Sequence, residues 1–155
     1  MTGPAGVRRA RVEDLPELIA LIGEHAVYEK ADPPAEGLAG RLEPLLFGAP
    51  EPRLICLVAE VGDGGPVVGY ATCSAEVSTW DGAEYLHMDC LFLRDGHRGL
   101  GLGEKLMEAV RGEARRLGLG HVQWQTPLWN EGAIRFYGRI GATSKEKRRF
   151  FWPAG

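Results

Sequence analysis

The chain has 155 residues, 45% of them apolar, with a net charge of −3 and a pI near 5.8. That length suits one domain, which buries roughly 70% of the surface its unfolded chain exposes, and the apolar share supplies a core. The acidic balance argues against nucleic-acid binding, which needs a strongly basic face, and no run approaches the ~20 apolar residues of a membrane span.

Met1 to Gly6 is small and polar and no apolar run follows, so no signal peptide is expected. Cys56, Cys73 and Cys90 are odd in number and lack CxxC spacing, which reads as reduced, mostly buried thiols in a cytoplasmic protein. Val7 to Val12 has strand character. Asp14 reads as an N-cap with Glu17 completing a capping box, and Leu15, Leu18, Ile19, Ile22 and Ala26 follow at helical spacing to about Glu29. Ala31 to Pro34 breaks that helix, and a weaker one is expected over 35–46. Arg53 to Val61 and Val67 to Glu76 read as strands joined by a glycine-rich hairpin over 62–66. Tyr85 to Leu93 is a third strong strand.

The pattern then changes to a glycine-rich turn and a helix over 104–117. Its apolar stripe is Leu106, Met107, Val110, Ala114 and Leu117, and Gly118 stops it. His121 to Gln125 reads as a strand, Asn130 to Arg139 as a short helix and Lys147 to Trp152 as a last strand. Antiparallel strands followed by a strand–turn–helix–strand unit predict an α/β sandwich. Its central sheet is mixed but mostly antiparallel and is flanked by helices.

The turn His97-Arg98-Gly99-Leu100-Gly101-Leu102-Gly103 lets the backbone approach a ligand without Cβ clashes. The helix that follows offers unpaired N–H groups and a positive dipole end, which together suit a pyrophosphate. It is not a P-loop, because Gly103-Glu104-Lys105-Leu106 breaks the G-K-[S/T] pattern, nor is it G-x-G-x-x-G. On glycines alone an ordinary strand–helix connection explains it equally well.

Arg98-x-x-Gly101-x-Gly103 resembles the coenzyme A signature of the GNAT acetyltransferase superfamily, R/Q-x-x-G-x-G/A. Trp129-Asn130-Glu131-Gly132-Ala133-Ile134-Arg135-Phe136-Tyr137 resembles its second conserved segment. The wording is similar to the spermidine/spermine and thialysine N-acetyltransferases, as are Val27 to Lys30, Cys56 to Glu60 and Leu86 to Leu93. The resemblance runs in order over most of the chain, taken here as a single domain over 1–155.

The resemblance implies acetyl-coenzyme A as the acyl donor, a small-molecule amine as acceptor and a homodimer. The strand at Leu91, Phe92 and Leu93 would pair its main chain with pantetheine. The amides of Arg98, Gly99, Leu100, Gly101, Leu102 and Gly103 would hold the pyrophosphate, with Arg98 adding charge-assisted contacts. Asn130 would reach the pantetheine arm, Ala133 stands among the cofactor-side positions, and Tyr137 would lie near the sulfur; otherwise Tyr137 is a half-buried core residue. Asp89 stands where the family has a glutamate and would hold the ammonium and pass its proton on through water, or else is structural. A main-chain N–H near Leu91 would stabilise the oxyanion. Proton transfer from Tyr137 to the thiolate is uphill by about 2 kcal/mol at the ordinary values of ~10 and ~8.5. Tyr137 therefore either has a lowered pKa or mainly hydrogen-bonds the sulfur. Tyr28, Glu29 and Gln125 match acceptor-side positions.

No metal-ligand spacing is seen: His25, His87, His97 and His121 are scattered. Two features depart from the polyamine enzymes. Cys90 stands at a position often acidic in the branch, and Lys145 to Arg149 is basic where a polycation would be repelled; the stretch is either a solvated loop or a site for an acceptor with its own carboxylate. Trp80 and Trp124 read as core or as pocket walls. The competing expectations are a protein lysine or N-terminal acetyltransferase, a non-catalytic acyl-coenzyme A binding module, and an antibiotic-modifying enzyme.

Overall fold

The structure, a computed structural model, describes residues 6–155 and falls into two units that divide after Gln125. In the first unit five strands line up in chain order: β1 (Gly6–Arg9), β2 (Ile55–Glu60), β3 (Val67–Ser78), β4 (Ala83–Leu93) and β5 (Val122–Gln123). The first four are antiparallel to their neighbours, whereas β5 runs parallel to β4. A parallel partner needs a crossover, and the helix between β4 and β5 supplies it. The mixed, mostly antiparallel sheet is the expected one.

Three helices belong to this unit: α1 (Leu15–Tyr28), α2 (Leu38–Phe47) and α3 (Leu102–Arg116). Leu15, Leu18 and Leu21 of α1 and Leu46 of α2 share one core cluster with Cys56, Val58, Tyr70 and Phe92 of the sheet. Strand side chains alternate between faces, so the buried Leu57, Ala59, Ala71 and Cys73 point to the other face. There α3 lies over β1 to β4 and buries Leu106, Met107, Val110 and Ala114. Each buried leucine, valine, methionine or phenylalanine among them contributes about 1.5–3 kcal/mol of burial.

A β-bulge interrupts the β3–β4 ladder. Cys90 pairs with Thr72 but Met88 pairs with Cys73, leaving Asp89 as the extra residue. One added residue reverses the facing of everything beyond it. Met88 thus shares the α3 face with Cys73, while Cys90 and Phe92 face α1. Partly buried ion pairs hold the β1 edge: Arg8 to Asp14 at 2.7 Å and to Glu60 at 3.0 Å, and Arg9 to Glu113 at 2.7 Å.

Several expectations are corrected. Strand β1 ends at Arg9, and a short 3-10 turn over Val12–Asp14 follows. Asp14 holds the N-cap position of α1 without capping it; its carboxylate takes the Arg11 N–H at 2.7 Å and the Arg8 guanidinium instead. Glu17 pairs with Arg94 at 2.7 Å rather than closing a capping box. Helix α2 starts at Leu38, because Gly37 is left-handed and the Ala35 and Glu36 carbonyls bind Arg41. Strand β5 stops at Gln123, two residues short of the expected end.

The second unit contains α4 (Glu131–Arg139), capped by the Asn130 side chain accepting from Ala133 N–H. The expected strand over 147–152 is irregular, with Phe150, Phe151 and Trp152 at least 80% exposed. A strand exists only through a ladder partner, and among the described residues none pairs with it.

Candidate active site

The local sequence explains how β4 ends. Arg94 N–H donates to Val68 O at 2.7 Å, so in this antiparallel ladder Phe92 also turns its main chain to β3. Leu91 and Leu93 therefore turn theirs to the opposite edge. On that edge β5 pairs only with Leu86 and His87. The strand is thus splayed from its parallel neighbour beyond His87, and the Leu91 and Leu93 peptide groups face the gap. Phe92 contributes its ring instead, 6% exposed in the α1 core.

The glycine turn follows directly. Gly96, Gly99 and Gly101 have φ of 86°, 78° and 81°. A Cβ at Gly99 or Gly101 would meet nothing within 4 Å, so it is the left-handed backbone and not space that calls for glycine here. Gly101 is the N-cap of α3 and offers no side-chain cap. The first helical bond is Lys105 N–H to Gly101 O at 3.1 Å. The amides of Leu102, Gly103 and Glu104 accordingly have no acceptor within the helix. These unspent donors at a positive helix end fit a diphosphate, and the open edge of β4 fits an amide-bearing arm.

Arg98 turns back from the loop. Its Nε donates to Leu93 O at 3.0 Å, and its guanidinium lies 4.4 Å from the Tyr28 ring centroid and 5.5 Å from that of Phe92. It braces the turn against α1, a role that the sequence did not suggest. Leu100 is 68% exposed, and Leu102 is buried at the start of α3.

Asp89, Tyr28 and Glu29 are the residues expected on the acceptor side. The bulge leaves the Asp89 side chain 61% exposed. The Cys90 thiol lies 3.7 Å from Asp89 Oδ2, and burial pushes that thiol up to about 11, too high for a nucleophile at neutral pH. Tyr28 and Glu29 close α1, with the Tyr28 ring 6.0 Å from Phe92. Glu29 Oε1 is 3.2 Å from His25 Nε2, and His25 Nδ1 is 2.6 Å from Tyr70 Oη. His25 and Tyr70 were not singled out from the sequence, although His25 falls on the helical stripe three, four and seven residues from Ile22, Leu21 and Leu18. Gln125 is exposed beyond β5 and Trp124 is half-buried. Trp80 is 96% exposed between β3 and β4, so it is not core.

In the second unit Asn130 Oδ1 takes the Ala133 N–H at 3.2 Å. This fixes the start of the helix that carries Tyr137, which is half-buried beside Phe136. Among the described residues no cluster of His, Cys, Asp or Glu could hold a metal ion, and no helix is long and apolar enough to cross a membrane.

Comparison with known proteins identifies the family. The acetyltransferase (GNAT) family profile matches residues 20–142. A thialysine N-epsilon-acetyltransferase of Bos taurus is 30% identical over 142 residues, covering 88% of this chain and 82% of the relative. An L-ornithine N5-acetyltransferase of Arabidopsis thaliana is 39% identical over 56 residues, covering 36% of this chain and 25% of the relative. The solved structure of an aminoglycoside N-acetyltransferase in complex with CoA superposes with a TM-score of 0.80 at 18% identity, covering all of this chain and 97% of that one. With the family profile spanning most of its length, the chain belongs to the GNAT family and is an acetyltransferase.

Proposed function

We propose that this enzyme transfers the acetyl group of acetyl-coenzyme A to a primary amine of a small molecule, and that the whole chain acts as one GNAT domain. The observation that supports it most is a pair of main-chain features: the open β4 edge at Leu91 and Leu93, where the Leu93 carbonyl also takes the Arg98 Nε–H, and the amides of Leu102, Gly103 and Glu104, which have no acceptor within α3. Acetyl-coenzyme A, when bound, supplies a thioester carbonyl open to a neutral amine. Leu91 and Leu93 pair with its amide arm, and the turn from Arg98 to Gly103 takes its diphosphate. Asn130 and Ala133 begin the helix that carries Tyr137, and Tyr137 Oη holds the proton that the departing thiol needs.

The acceptor arrives as an ammonium, with only about one molecule in a thousand neutral at pH 7. Asp89 holds that ammonium and, being exposed, exchanges its proton with water. Tyr28 and Glu29 border the same end, and Gln125 completes the acceptor-side set. The acceptor is an amino acid with a side-chain amine. Relatives named for thialysine and L-ornithine support this. The enzyme works without a metal, in the cytoplasm, as a homodimer.

The test is thiol release from acetyl-coenzyme A against lysine, thialysine, ornithine, putrescine, spermidine, an aminoglycoside and a lysine peptide. Turnover of an amino acid that falls at least a hundredfold in Tyr137→Phe and Asp89→Asn is the expected result. Turnover of the peptide alone would move the assignment to a protein acetyltransferase. No turnover with coenzyme A still bound would leave a binding module.

A further inference from the structure

The proposed reading needs the acceptor-side carboxylates held in place, and the structure contains a buried device suited to it. His25 is 8% exposed and Tyr70 1% exposed, yet both carry polar groups into the α1 core. Among the described residues no buried side-chain nitrogen or oxygen goes without a hydrogen bond. His25 meets Glu29 through Nε2 at 3.2 Å and Tyr70 through Nδ1 at 2.6 Å. Its ring also stacks on Phe92, with centroids 5.0 Å apart and planes 19° apart.

The donor count fixes the protons. An ionised carboxylate only accepts, so Nε2 carries the hydrogen that faces Glu29. Burial lowers the basicity of His25, against the opposing pull of Glu29 and Asp89, and favours the neutral ring. Nδ1 is then a bare lone pair, and the Tyr70 O–H must donate to it. The Cys90 thiol donates separately to Asp89 Oδ2 at 3.7 Å.

We propose that His25 and Tyr70 are positioning residues for acceptor binding: Tyr70 holds the imidazole, and the imidazole holds one oxygen of Glu29, so that the other oxygen faces the ammonium of the acceptor. This rests on the small-molecule acetyltransferase reading for the identity of the ligand, but the triad itself does not. The stacking on Phe92 keeps the same imidazole in register with the strand that borders the cofactor. A leucine at 25 would leave the buried Tyr70 hydroxyl without its partner, so the two hydrogen bonds of the imidazole supply the reason for one.

The test combines two readouts on the full chain. Long-range proton–nitrogen NMR at pH 7.5 is expected to show His25 neutral with its proton on Nε2, and Tyr70→Phe to shift the Nδ1 resonance while keeping that tautomer. A proton on Nδ1, or a charged ring, overturns the triad whatever the enzyme acetylates. In thiol-release assays with L-lysine as acceptor, His25→Leu is expected to raise the acceptor KM at least tenfold and leave the acetyl-coenzyme A KM within twofold. His25→Gln, which restores a donor toward Glu29, should recover part of it. An unchanged acceptor KM in His25→Leu, or equal change in both KM values, sinks the positioning role. If wild type does not turn over L-lysine, the failure falls on the acceptor assignment. The KM comparison is then made with whichever amine of the panel wild type turns over, where an unchanged acceptor KM in His25→Leu overturns the proposal.

Discussion

His25 makes the stability of the fold depend on pH. Its pKa is lowered in the fold, chiefly by burial, so the unfolded chain binds its proton first as pH falls. The contribution is complete above the unfolded value near ~6.5 and is lost as pH drops through the folded value. Urea unfolding at pH 7.5 and pH 5 should show a loss that is smaller in His25→Leu; equal losses in the two proteins would refute this. Gly101 makes a second residue-level case. Alanine there meets no atom but must adopt a φ of 81°, which costs about 1–2 kcal/mol. Gly101→Ala should lose that stability in denaturant and weaken coenzyme A binding at least tenfold by calorimetry. Both residues stand at positions whose type the sequence displays. The glycine was legible because only a special backbone needs three in seven residues. The histidine was passed over because its partners lie four and 45 residues away.

Among the elements, β4 carries the site because of one extra residue. Up to Met88 its even-numbered side chains face α3; from Cys90 on they face α1. Deleting Asp89 would make the ladder regular and leave Phe92 opposite Tyr70, because Cys90 would follow Met88 and still face Thr72. The deletion should therefore keep a cooperative unfolding transition and, like Asp89→Ala, lose acetyl transfer. Loss of cooperative unfolding in the deletion would show that the fold depends on the bulge. Helix α1 depends on burial in the ordinary way: Leu18, 1% exposed, should cost about 2–5 kcal/mol as Leu18→Ala in urea unfolding. Helices and strands with a clear period were read from the sequence to within a few residues. The ends were not, because Asp14, Glu17 and Gly37 are governed by arginines and a left-handed turn rather than by capping propensity.

For the whole molecule, the sequence by itself determined the class. The order of strands and helices predicted an α/β sandwich, since that pattern follows from local backbone geometry, and the resemblance of Arg98 to Gly103 and of Trp129 to Tyr137 to the GNAT segments implied the acetyltransferase. Tertiary structure decided the rest. It decided that β5 pairs only at Leu86 and His87, which opens the Leu91 and Leu93 edge. It decided that Arg98 braces Tyr28 and Phe92, and that residues 147–152 form no strand. It also brought Glu29, His25 and Tyr70 into one buried triad. The reason is physical: a strand edge, a bulge and a buried hydrogen bond each depend on a partner far away in the chain. Spacing along the sequence records what a residue prefers, and only packing records what it meets.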